Sequence, residues 1–186
     1  MLDLAGCSDG ELAALALAGR QAAYRVLLGR HRPAAFRLAR HHTGGDDAAL
    51  DITQQSFVAA FAALGRYDPS RPFANWLARI VLNKCRDWAR RRKVRQLFAF
   101  AVPLDEAPEI ADWSVDTERL AADREELGRA MKAIAALPAR LKEVLVLRAI
   151  EGMSQADTAQ VLGVSEKAVE TRLYRARARL TEIVRG

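Results

Sequence analysis

Residues 151–165 constrain the fold of this chain more than any other stretch. Ser154 followed three residues later by Asp157 is a capping-box-like helix start. Gly163 stands where a left-handed helix stop is needed, and Ser165 can cap the helix after it. Two helices around a short turn containing glycine describe a helix-turn-helix. The second of these helices carries an apolar arc of Val169, Leu173, Ala176, Leu180 and Ile183, flanked by Arg172, Arg175 and Arg179. Its first turns carry Ser165, Glu166, Lys167 and Glu170. In such a motif the second helix lies in the DNA major groove and its first residues reach base edges. Arginine pairs with guanine there, and glutamate accepts from the cytosine amino group. The plainer alternative is an amphipathic surface helix with a solvated basic face, which the capped preceding helix and the glycine turn disfavour.

The rest of the chain also reads as helix. Ala, Leu, Arg and Glu dominate, and alternating β-branched runs are missing. Ser8 or Asp9 can cap a first helix through Ala18. A second is expected over about 21–42, with Pro33 kinking or dividing it. A break at 43–46 precedes a third helix over about 47–64. A loop over 65–72 then leads to a long helix over about 73–93. From Leu97 to Ser114 the chain has Pro103, Pro108 and several acids without helical period, which reads as a flexible acidic linker. Helices resume near Asp116, break before Pro138 and continue to Ile150. The expectation is an all-α protein of two small helical domains, 1–96 and 117–186, tethered by 97–116 and moving semi-independently.

A formal net charge of +6 on 186 residues favours an anionic partner, although solubility alone is an equal explanation at this level. The N-terminal ten residues lack the pattern of a signal peptide, and no stretch is long and apolar enough to span a bilayer. No membrane insertion is expected, and the chain reads as cytoplasmic. Cys7 and Cys85 are far apart and fit no metal spacing. Adjacent His41 and His42 cannot easily face one ion, so neither a metal nor another cofactor is expected. No phosphate loop, nucleophile–base set or carboxylate pair suggests an enzyme.

In the third helix Leu50, Phe57, Phe61 and Leu64 share a face that should be core. Ile52 falls opposite, beside Asp51 and Gln55, as an apolar residue on a polar surface suited to a partner or needing no explanation at all. Gln54 lies at the edge of the apolar arc. In the fourth helix Phe73, Trp76, Leu77, Ile80 and Val81 form the core face. Arg79, Asn83, Arg86 and Arg90 form a separate stripe at helical spacing, continued by Arg91, Arg92 and Lys93. Such a stripe neutralises phosphates or is simply a solvated basic face.

Several motifs stand in one order along the chain. They are Asp51-Ile52-Thr53-Gln54-Gln55-Ser56-Phe57, then Phe73-Ala74-Asn75-Trp76-Leu77-Ala78-Arg79-Ile80 with Asn83 and Asp87, then Leu137-Pro138-Ala139-Arg140. After these come Val144-Leu145-Val146-Leu147-Arg148, Glu151-Gly152-Met153-Ser154 and Thr171-Arg172-Leu173-Tyr174-Arg175-Ala176-Arg177. Together they resemble the extracytoplasmic-function sigma factors of bacterial RNA polymerase. The resemblance implies that Asp51, Ile52, Gln54 and Gln55 bind core polymerase. It implies that the loop with Tyr67, Asp68, Ser70 and Arg71, together with Arg79, Asn83, Arg86 and Arg90, reads the minus-10 element of promoter DNA. It further implies that Ser165, Glu166, Lys167, Val169, Glu170, Arg172 and Arg175 read the minus-35 element, and that an anti-sigma factor is a partner. This chain differs from the family pattern in having Thr158, Gln55 and Glu166-Lys167-Ala168 where an apolar residue, an acid and a small Gly-Thr pair are usual. The competing readings are a stand-alone helix-turn-helix regulator and a decoy that binds only a regulatory protein.

Overall fold

The computed structural model describes residues 4–99 and 128–185. Helix α1 (Asp9–Leu17) starts in a complete capping box: the Ser8 hydroxyl accepts from the Glu11 amide while the Glu11 carboxylate accepts from the Ser8 amide. Helix α2 (Gln21–Thr43) ends at Gly44, whose φ of 78° needs a residue without a Cβ. Helix α3 (Asp46–Ala62) follows, then a 3-10 turn over Leu64–Arg66 and helix α4 (Phe73–Ala99).

Helix α2 is continuous through Pro33, which neither divides nor ends it. Proline removes one backbone hydrogen bond. Here Leu27 on one side of it and Ala35, Leu38 and Ala39 on the other are all buried against neighbouring helices, so tertiary packing holds the axis through the gap. The first-half core gathers Leu12, Leu27, Leu38, Ile52, Phe57, Leu64, Phe73, Leu77, Val81 and Leu82. An aromatic cluster closes its lower end, with Phe73 5.2 Å from Tyr67 and 5.4 Å from Trp76 between ring centres. Asp9 clasps α1 to α2 by meeting both Arg30 at 2.6 Å and His31 at 2.8 Å.

Of the face expected to be core in the third helix, Phe57 and Leu64 are buried and Phe61 packs against them, but two positions depart from the pattern. Ile52 is 2% exposed and sits in the core, whereas Leu50 is 47% exposed. The pattern was misleading because Ala49, Thr53, Ser56 and Ala60 fill most of the buried face. Buried Thr53 and Ser56 turn their hydroxyls onto the carbonyls of Ala49 and Ile52, so polar residues pass as core.

The second half begins with a helical segment, α5, described over 128–136, followed by α6 (Ala139–Leu145). A π-turn over Val146–Ile150 closes with the Glu151 amide donating to the Val146 carbonyl. Helix α7 (Gln155–Leu162) is capped by Ser154 and stopped by Gly163 at φ 66°. Helix α8 (Glu166–Arg185) packs its apolar arc on α6 and α7. Residues 97–99 continue α4, and the remainder of the linker expected at 97–116 lies outside the described residues, as does the helix restart near Asp116.

The two halves, expected to move semi-independently, are packed against one another in this structure. Helix α7 lies on α4, and α6 and the π-turn lie on α2. Val146, Leu147 and Val161 join the first-half core cluster, with Ile134, Met153 and Leu162 packed at its edge. Apolar contact and several polar pairs, described below, join them.

Because α2 touches every helix of the first half, its central side chain should dominate stability. Leu27→Ala is expected to cost about 2–5 kcal/mol. The shift of the urea unfolding midpoint, followed by helical circular dichroism, checks it.

Candidate nucleic-acid interface

At the C-terminal end, Ser165 caps α8, its hydroxyl accepting from the Ala168 amide at 3.2 Å. Glu166, Lys167 and Glu170 stand exposed on the first turns, and Lys167 pairs with Glu170 at 2.9 Å. Arg175 is exposed and Arg172 is half-buried on the next turns. Val169 is 0% exposed, packed with Val144 and Ala159, so it anchors the helix and presents nothing to DNA. The arrangement offers a capped helix N-terminus, which attracts phosphate, with cations on the flank behind it.

The turn before α4 is tightly hydrogen-bonded. Asp68 accepts from both the amide and the hydroxyl of Ser70, at 3.0 and 2.7 Å, and these bonds hold its carboxyl below the ordinary value. Arg71 approaches Asp68 at 3.3 Å, and the Tyr67 hydroxyl donates to the Arg71 carbonyl at 2.7 Å. The Tyr67 ring packs 5.4 Å from Trp76 between centres, so it is held in the aromatic cluster. Along α4, Arg79, Asn83, Arg86 and Arg90 are all exposed. Arg90 pairs with Asp87 at 2.7 Å.

Between α3 and α4 runs a groove of about 820 Å³, lined by Asp51, Gln55, Lys84, Asp87, Trp88 and Arg91 among others. Gln54 lines the adjoining hollow with Val58, which is 65% exposed. Gln55 donates to the Asp51 carboxylate at 2.8 Å. Asp51, Gln54 and Gln55 are thus brought to one accessible surface. Ile52, 2% exposed, belongs to the core and forms part of the floor of the larger groove. Val58, Lys84 and Trp88 were missed from sequence, although Trp88 lies four residues after Lys84 on α4 and so faces the same side.

A polar seam joins the halves and was not foreseen. Arg86 donates through two nitrogens to both oxygens of Glu143, at 2.7 and 2.9 Å, and the Glu143 side chain is only 5% exposed. The same arginine reaches Asn83 at 3.0 Å. Asn75 donates to Asp157 at 2.6 Å, and Arg37 to Glu151 at 3.0 Å. Behind these, Lys142 is buried and donates to the Ala135 carbonyl at 2.6 Å, and burial lowers its pKa. Burial also pushes the Cys85 thiol up to about 12, so it stays protonated. No group of His, Cys, Asp and Glu among the described residues could hold a metal ion, and no helix among them is long and apolar enough to cross a membrane.

Residues 27–95 match the family model for sigma-70 region 2, and residues 127–180 that for sigma-70 region 4. The chain is 43% identical over 180 residues to the RNA polymerase sigma factor CnrH of Cupriavidus metallidurans, covering 95% of this chain and 94% of that protein. It is 33% identical over 177 residues to the ECF RNA polymerase sigma factor SigM of Mycobacterium tuberculosis, covering 95% and 85%. The fold is similar to that of CnrH in its complex with the cytosolic domain of CnrY, with a TM-score of 0.69 at 38% identity over 95% of this chain and 96% of that one. It is similar in fold also to the sigma factor RpoE bound to the anti-sigma factor NepR from Bartonella quintana, at the same TM-score of 0.69 and 22% identity, covering 87% and 96%. The chain belongs to the extracytoplasmic-function sigma factors, which bind core RNA polymerase and direct it to promoters.

Proposed function

We propose a division of labour along this sigma factor. Residues 1–96 bind core polymerase through Asp51, Gln54 and Gln55 and read the minus-10 element through Tyr67, Asp68, Ser70, Arg71, Arg79, Asn83, Arg86 and Arg90. Residues 117–186 read the minus-35 element through Ser165, Glu166, Lys167, Glu170, Arg172 and Arg175, and 97–116 connect the two. Ile52 and Val169 are assigned to the core, where their burial leaves them a supporting part: Ile52 in the floor of the groove and Val169 on the buried face of α8. The chain supplies recognition alone, polymerase supplies catalysis, and both work in the cytoplasm. An anti-sigma protein is a further partner, as CnrY is paired with CnrH and NepR with RpoE.

The observation that carries this reading is the exposed start of α8. It is a capped helix N-terminus bearing Glu166, Lys167 and Glu170, with Arg172 and Arg175 one turn behind. Those groups match the donors and acceptors that read base edges. The groove between α3 and α4 supports the polymerase assignment, because three polar candidates meet apolar Val58 and Trp88 there.

Run-off transcription with purified core polymerase, on a promoter selected by the wild-type holoenzyme from a random library, tests it. Arg172→Ala and Arg175→Ala should each lower transcription roughly 5- to 150-fold, as expected for loss of a base contact. Core binding should stay unchanged. Normal transcription by both variants would remove α8 as the reader. Paired Asp51→Ala and Gln55→Ala changes should do the reverse. They should weaken core binding in a fluorescence titration and depress transcription from every promoter alike when the factor is limiting.

A further inference from the structure

Five buried side-chain polar atoms among the described residues have no hydrogen-bond partner within the protein: His41 Nδ1, His42 Nε2, Arg148 Nε, Glu151 Oε1 and Thr158 Oγ1. Two belong to α2 and three to the π-turn, its end and α7, the elements that meet across the seam. Buried polar atoms are nearly always paired, so such a concentration calls for an explanation. The seam buries groups that water would serve better.

The two histidines matter most, because water would also let them take up a proton. His42 Nδ1 lies 2.9 Å from the Leu38 carbonyl, which can only accept. Its proton is therefore on Nδ1, and the buried Nε2 keeps a bare lone pair. The charged groups facing this ring are Lys142 and Glu143 on α6, and His41 on its own helix; Cys85 on α4 lies beside the same lysine and glutamate. Lys142 and His41 oppose a charge on the ring, while Glu143 favours it but is held by Arg86. His41 faces Glu151 from the second half and Arg37 and Arg40 from α2. Those arginines are themselves paired, with Glu151 and Asp46.

We propose that the seam is an acid-sensitive latch: neutral His41 and His42 let the helix-turn-helix half close over α4 and hold Arg86 and Asn75, and charging the pair opens the two halves. The assignment of α4 to the minus-10 element supplies only the consequence of opening. The opening itself stands on the seam and is measured without DNA.

The direction follows from proton linkage. Burial, the largest cause, lowers both histidines, His42 to about 4 from an ordinary 6.5. A closed state that disfavours the charged ring is fully favoured above the ordinary value and loses ground as pH falls below it, levelling off near the lowered one. Between pH 7.5 and 5.5, His42 alone should raise the ratio of open to closed chains about tenfold, and His41 should add to this.

Single-molecule energy transfer on the full chain reads that ratio, with dyes at Gly65→Cys and Ala178→Cys after Cys7→Ser and Cys85→Ala. The expected result is a rise of about tenfold or more in the open-to-closed ratio between pH 7.5 and 5.5, with unchanged helical circular dichroism. Adding His41→Gln and His42→Gln should leave the chain mostly closed at both pH values and abolish the rise. Glu143→Gln, which weakens the grip on Arg86, should raise the open fraction at both. An unchanged ratio in the parent chain would overturn the proposal, as would an undiminished rise in the double variant. Should the double variant fail to fold, His41→Gln alone must still reduce the rise, and an undiminished rise in it counts against the latch.

Discussion

The long helix α2 is the constraint on which the rest of the structure depends. It is the one element in contact with α1, α3 and α4 and also with α6 and the π-turn. Its first part carries Leu27 into the first-half core, and its last part carries Arg37, His41 and His42 towards the second half. A break at Pro33 would uncouple these two roles. Continuity through the missing hydrogen bond, held by apolar residues on both sides, is what allows one helix to organise a core and a seam.

The seam itself is a compromise between apolar contact and charge. Val146, Leu147 and Val161 pack onto the first half as ordinary core, which favours closure. Glu143 is different. Taking a carboxylate out of water is costly unless it is well paired, and the two-pronged contact from Arg86 meets that need. Removing Arg86 would leave the buried Glu143 charge uncompensated in the closed form alone, so closure depends on the arginine being in place. The neutral histidines add a second condition of the same kind.

Much of the architecture was legible in the sequence, and the failures have physical causes. The helix-turn-helix could be read because its signals are local: a serine cap, a glycine stop and a second cap within a few residues. The resemblance through both halves could be read because its motifs are co-linear. The burial of Ile52 on α3 could not be read from apolar pattern, since Thr53 and Ser56 beside it hide their hydroxyls in their own helix. Val169 belongs to the apolar arc by periodicity and was also counted among the contacts to DNA; its complete burial decides between the two. The seam was beyond local reading altogether. Its pairs join residues 57, 82 and 114 positions apart, and nothing near Arg86 in sequence points to Glu143.

The chemistry of those pairs has a consistent sense. In each, the second half contributes the acid, Glu143, Asp157 or Glu151, and the first half contributes the donor, Arg86, Asn75 or Arg37. Two of these donors, Asn75 and Arg86, stand on α4, and the third, Arg37, on α2. In the closed form Nε and Nη2 of Arg86 hold both oxygens of Glu143 and Nη1 reaches Asn83, so all three nitrogens of the guanidinium are engaged. On the proposed reading, closure and engagement of the minus-10 element are therefore alternatives that compete for one side chain. Salt screens the arginine's attraction to phosphate more than its attraction to the buried carboxylate, because the latter is largely shielded from solvent. On that reading rising ionic strength should shift the balance towards the closed form, and the salt dependence of promoter binding by the free factor should contain a contribution from the seam in addition to the counterions released from DNA.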